Sequence, residues 1–132
     1  MNFELDQDQQ MLADSVRRFL ADHYDFESRK RILESAEGFS AEVWRAFAET
    51  GLLGLAFSEA HGGFGGTAVG LMSVMEALGE ALVVEPFLPT IMAARLVARA
   101  GSAQQRQAVV APVIAGELKM ALAHSEAGAR YN

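Results

Sequence analysis

Between Thr67 and Leu82 the chain places apolar residues over more of a helix than a single buried stripe requires. Leu71, Met75, Leu78 and Leu82 recur at helical spacing, with Ala68, Met72 and Gly79 adjoining them. A helix that is apolar over much of its circumference has to be surrounded, so the rest of the chain must supply elements that pack around it. Those elements are themselves helical. Leu12, Val16, Phe19 and Leu20 make one face of a first helix behind an Asp6/Gln9 capping box. Asp25 caps a short second helix with Ile32 and Leu33 on its apolar side, and Gly38 breaks it. Ser40 caps a third, with Trp44, Phe47 and Ala48 as its stripe and Gly51 at the left-handed position beyond its end.

Past the central fourth helix, Pro86 and Pro89 bracket a turn holding Phe87 and Leu88. A fifth helix follows from about Pro89, carrying Ile91, Met92, Leu96 and Val97, and stops at Gly101. Ser102 and Gln105 form a second capping box for a sixth helix containing Val109 and Val110, which Pro112 should kink or restart. Residues 119–124 read as a strand or a tail. The fold class is therefore all-α: about six helices with short connections in one domain. A 14.2 kDa chain, 51% hydrophobic, has the material for such a core.

Charge and composition remove several functions. The net charge of −6 argues against nucleic acid as the main partner, because phosphate binding needs a basic surface. No run approaches the roughly 20 apolar residues of a membrane helix. With no cysteine there is no disulfide or thiolate metal site, which fits a cytoplasmic location. His23, His61 and His124 lie far apart and show no metal-binding spacing. The loop from Ser58 to Gly66 has four glycines in its last five residues, yet it lacks the Lys-Ser/Thr of a phosphate loop. It reads as a tight connection between helices. Met72, Met75 and Met92 read as core filling, and Glu76 as a carboxylate on an exposed edge or held by an arginine. The charge is also uneven: residues 1–66 hold 12 acids and 6 bases, whereas residues 67–132 hold 5 of each. The neutral half has the character of a surface that packs against more protein.

The order of the segments carries a resemblance. Phe3-Glu4-Leu5, Asp8-Gln9-Gln10 and Val16-Arg17-Arg18-Phe19 resemble the opening helix of acyl-CoA dehydrogenases. Trp44 with Ala48-Glu49-Thr50-Gly51-Leu52-Leu53-Gly54-Leu55, the Glu59 to Gly66 loop, and Met75-Glu76-Ala77-Leu78-Gly79 are similar to successive family segments. So are Gly101-Ser102 with Gln105-Arg106, and Ile114 to Glu117 followed by Met120 to Ala123. Each piece is weak alone, but six in the same order cover nearly the whole chain.

The resemblance implies residues 1–117 as the N-terminal helical domain of a flavin-dependent enzyme and residues 118–132 as the start of its middle β-domain. The implied reaction is α,β-dehydrogenation of an acyl-CoA thioester, in fatty acid or sterol catabolism, with FAD as cofactor. The glutamate base of the family lies in a later domain, so no catalytic residue is implied here. Flavin contacts are implied at Leu122, Ala123, Gly128 and Ala129. Ala123 stands where the family has a threonine and Ala129 where it has a serine, which leaves backbone contacts only. That substitution suits a non-catalytic scaffolding subunit, similar to the small subunits of pimeloyl-CoA and steroid side-chain dehydrogenases. Phe87, Leu88 and Ile91 are implied as wall of the acyl pocket, with core packing as the competing role. Implied partners are the acyl-CoA substrate and the remaining domains or a partner subunit, in a homo- or hetero-oligomer. Assayed alone with FAD, a panel of acyl-CoA thioesters and an artificial electron acceptor, the chain is expected to give no turnover above the flavin blank.

Overall fold

The computed structural model describes residues 7–65, 67–125 and 128. Six α-helices follow in chain order: α1 (Gln7–His23), α2 (Phe26–Glu34), α3 (Ala41–Glu49), α4 (Ala68–Glu80), α5 (Phe87–Ala100) and α6 (Ala103–Ile114). Two 3-10 turns, Leu52–Gly54 and Glu59–His61, lie between α3 and α4. Local chemistry sets the boundaries. Asp25, Ser40, Thr67 and Ser102 each accept a hydrogen bond from a first-turn backbone N–H, and Ser102 with Gln105 completes a reciprocal box. Gly51 takes φ +77 after α3. The Asp6 cap lies outside the described residues.

α1 lies along α4, α5 packs on α6, and the Leu52–Gly54 turn seats against α3 and α6. Phe47 of α3 is the hub of the core, 1% exposed. Its ring stands edge-on to Phe19 of α1 at 6.2 Å and to Phe87 of α5 at 6.3 Å, and lies 6.4 Å from Trp44. The Trp44 indole N–H donates to the Gly116 carbonyl at 2.9 Å, binding the end of α6 to α3. Beyond Gly116 the chain runs without helix and without strand pairing through Ser125. Thr90 fixes that segment to α5, its hydroxyl donating to the Met120 carbonyl and accepting from the Met120 N–H.

Four expectations need correction. α5 begins at Phe87, because Pro86 caps it and Pro89 is tolerated in the first turn, where backbone N–H groups have no helical acceptor. α6 runs through Pro112 to Ile114 without restarting, although Pro112 has no N–H to donate to the preceding turn. The buried face of α4 is Gly70, Ser73, Val74, Ala77 and Leu78, leaving Leu71 and Met75 half-buried and Met72 exposed. Small residues let α1 approach closely, and the Ser73 hydroxyl is satisfied by the Gly70 carbonyl at 2.8 Å. Met72 and Met92 are 52% and 51% exposed, so only Met75 of the three methionines packs against the core.

The glycine-rich loop folds onto the chain before it. Phe64 N–H donates to the Gly54 carbonyl and Gly65 N–H to the Phe57 carbonyl, and the Phe64 ring covers Gly51 and Gly54. A Cβ at Gly63 would collide with the Gly54 and Phe57 carbonyl oxygens, whereas one at Gly38 meets open space. Gly63→Ala is expected to cost about 1–3 kcal/mol through steric overlap. Gly38→Ala, at φ +68, should cost only the left-handed backbone penalty of about 1–2 kcal/mol. Parallel urea denaturation of the two variants checks the order.

Candidate functional site

A groove beside Phe87 and Leu88 is built around the turn from Ala81 to Pro86. α4 ends there in a paired-bond cap: Leu82 N–H donates to the Gly79 carbonyl and Val83 N–H to the Leu78 carbonyl, both at 3.0 Å. Leu82 occupies the left-handed position that usually belongs to glycine, at φ +53. Among the described non-glycine residues it alone has positive φ.

Two side chains from outside the turn and one of its own hold it in place. Arg29 of α2 donates from Nε to the Leu82 carbonyl at 2.8 Å, a cation at a helix C-terminus. Tyr24 accepts the Val84 N–H at 3.0 Å. Glu85, 5% exposed, accepts the Ser40 N–H at 3.0 Å and so reaches the start of α3. Burial pushes the Tyr24 phenol up to about 12, and the neighbouring Glu85 carboxylate adds to the shift.

Above this polar knot lies an open groove of about 430 Å³, walled by Met75, Leu78, Leu82, Val83, Leu88 and Pro89 with Arg29 at its rim. The three predicted substrate residues divide. Phe87 and Ile91 are core, 2% and 1% exposed, and Phe87 touches the groove from below. Leu88 is 43% exposed on the wall itself. Of the predicted flavin contacts, Leu122 and Ala123 are exposed on the extended segment and Gly128 sits in an exposed turn at φ +92. Ala129 lies outside the described residues. Neither Leu122 nor Ala123 lines the groove.

Sequence reading missed Tyr24, Leu82 in its actual role, and Glu85. One signal for Glu85 was available, since it is the only acid between Glu80 and Glu117. Glu76 pairs with Arg17 at 3.8 Å and is 67% exposed, so both roles foreseen for it hold. Among the described residues no cluster of three or more His, Asp or Glu side chains could hold a metal, and no helix is long and apolar enough to cross a membrane.

The fold and the order of its segments together define a helical domain of a flavoenzyme family. Residues 6–117 match the family description "Acyl-CoA dehydrogenase, N-terminal domain", and the chain belongs to that family. It is 31% identical over 90 residues to acyl-CoA dehydrogenase IpdE2 of Mycolicibacterium smegmatis, a match covering 67% of this chain and 29% of that protein. Against the probable acyl-CoA dehydrogenase YngJ of Bacillus subtilis the identity is 32% over 87 residues, covering 61% and 21%. The match therefore spans less than a third of either curated relative. Two solved structures share the fold over 92% of this chain and 34% of theirs. One is a variant of the Tcur3481–Tcur3483 steroid ACAD (TM-score 0.86, 30% identity) and the other the ChsE4–ChsE5 complex from Mycobacterium tuberculosis (0.83, 26%).

The Tyr24 shift has a definite sign. A phenol raised in the folded state ionises first in the unfolded chain, so stability should fall as pH rises from about 10 to about 12. Tyr24→Phe should flatten that window in chemical denaturation. It should also cost about 1–3 kcal/mol at neutral pH, because the Val84 N–H loses its acceptor.

Proposed function

We propose that this domain acts as a non-catalytic helical partner within an acyl-CoA dehydrogenase assembly. It supplies packing surface and part of a pocket wall, while a partner supplies the base and most of the flavin site. The observation that carries this reading is its likeness over 92% of its length to chains of two structures, each named for two proteins. The groove chemistry agrees with a passive role. Its carboxylate, Glu85, is buried with one oxygen held by the Ser40 N–H and the other without a hydrogen-bond partner, and at 5% exposure it offers a bound molecule little access. In the 122–129 segment, the backbone of Leu122, Ala123, Gly128 and Ala129 is what remains to lie beside a flavin held by another polypeptide.

Leu88 favours the pocket-wall contribution, since it is exposed on a ready-made apolar groove. Phe87 and Ile91 act from beneath by fixing the first turn of α5. The substrate proposed is an acyl-CoA thioester, and the name of the steroid ACAD adds bulky steroid thioesters to those worth testing beside straight chains.

The test is reconstitution with a flavin-binding acyl-CoA dehydrogenase subunit from the same genome. A stable complex with turnover that neither component shows alone supports the reading. FAD retention with turnover by this chain alone would overturn it. Within the active complex, Leu88→Trp should shift preference toward shorter or slimmer acyl groups by about 1–3 kcal/mol in relative kcat/KM. Unchanged preference with lowered stability would return Leu88 to core packing.

A further inference from the structure

Thr90 uses its hydroxyl in a way that its helix does not require. A threonine in or at the end of a helix ordinarily returns its hydroxyl to a carbonyl of the preceding turn. Thr50, at the end of α3, does so, donating to the Ala46 carbonyl at 2.8 Å. Thr90, wholly buried on α5, directs both sides of its hydroxyl to one residue outside the helix. It donates to the Met120 carbonyl at 3.3 Å and accepts the Met120 N–H at 3.2 Å. One side chain thus presents the donor and the acceptor that a neighbouring strand would present.

That pairing sets which way the chain faces beyond it. In an extended chain the N–H and C=O of one residue point to the same side, and those of the next residue to the other. With the Met120 pair turned onto α5, the pairs of Ala121 and Ala123 face away from the domain. Ties upstream hold the approach. Trp44 binds the Gly116 carbonyl at 2.9 Å, the Lys119 ammonium lies 4.8 Å from the centre of the Phe39 ring, and Leu118 and Met120 pack against the core. Thr90 is the last tie along the segment. From residue 121 to 125 every position is exposed, and no main-chain group there has a hydrogen-bond partner among the described residues.

Those groups fit the edge of a flavin ring. The rim of an isoalloxazine carries hydrogen-bond donors and acceptors together, and unpaired N–H and C=O groups answer both. Residues 121 and 123 are alanines, whose methyl groups leave the backbone open to close approach. Such contacts are only as good as the geometry that delivers them, because a main chain free to rotate would offer the wrong face as often as the right one.

We propose that Thr90 is a positioning residue: by pairing with Met120 it fixes the face that the backbone of residues 121–123 turns toward a flavin held by another polypeptide. This rests on the partner-subunit reading above and adds to it the residue that sets the geometry. With no exposed surface, Thr90 is out of reach of flavin and substrate alike and acts through Met120.

The test compares the wild type with Thr90→Val, which keeps the shape and removes the hydroxyl, and with Thr90→Ser, which keeps the hydroxyl. In NMR of the full chain alone, the Met120 amide of Thr90→Val should exchange about tenfold faster. The Ala121 and Ala123 amides should shift with it, while those of Val110 and Val113 stay in place. In the reconstituted complex, Thr90→Val should assemble and keep its KM, shift the visible absorption of the bound flavin, and lower kcat about tenfold. Thr90→Ser should restore both spectrum and kcat. Thr50→Val, which removes a threonine hydroxyl remote from the segment, should change neither. An unmoved Met120 amide, or a Thr90→Ser complex no better than Thr90→Val, would overturn the proposal. So would a lowered melting temperature with an unchanged spectrum, which would make Thr90 core packing only. If the wild-type chain joins no flavin-binding subunit, the partner reading falls and takes this role with it. If the wild-type complex is active and Thr90→Val matches it, this role alone falls.

Discussion

Phe47 is the contact on which the other helices depend. It stands on a nine-residue helix too short to persist alone in water, so α3 owes its existence to packing. The ring meets Phe19, Trp44 and Phe87, drawing three helices to one point. Trp44, one turn earlier, then fixes the end of α6 through Gly116. With α1, α3, α5 and α6 located in this way, the turn between α4 and α5 has a defined place to land. The groove is a by-product of that landing.

Much of this was legible in the residues, for reasons specific to each element. Asp25, Ser40, Thr67 and Ser102 announce helix starts because an unpaired backbone N–H needs an acceptor wherever the fold places it. Gly51 announces an end because its backbone lies in the left-handed region. The same logic misleads at Leu82, where a leucine takes the position that glycine usually holds and a hydrophobicity pattern counts it as core. It also misleads on α4, where the buried face includes Gly70, Ser73 and Ala77 while Leu71, Met72 and Met75 stand at its flanks. Pro89 and Pro112 look like punctuation in a sequence. Pro89 lies in a first turn, where no N–H is needed, whereas Pro112 sits inside α6 and leaves one carbonyl of the preceding turn without its donor.

The site was legible only in part. The order of segments grouped Leu88 with Phe87 and Ile91, but burial separates it from them, and burial is a tertiary fact. Tyr24, Glu85 and Ser40 come from α1's end, the α4–α5 turn and α3's cap. Their partnership spans 45 and 60 residues of chain. No local pattern encodes contacts at that separation.

The Glu85 carboxylate also has a mechanical meaning. One of its oxygens holds the N–H of Ser40, the residue whose hydroxyl caps α3, while the N–H of the preceding residue, Val84, donates to the Tyr24 hydroxyl. Pressure on the turn from outside is thus carried directly to the seating of α3 and the last turn of α1. The amides of α3, remote from the groove, become a natural gauge of whether anything is resting on it.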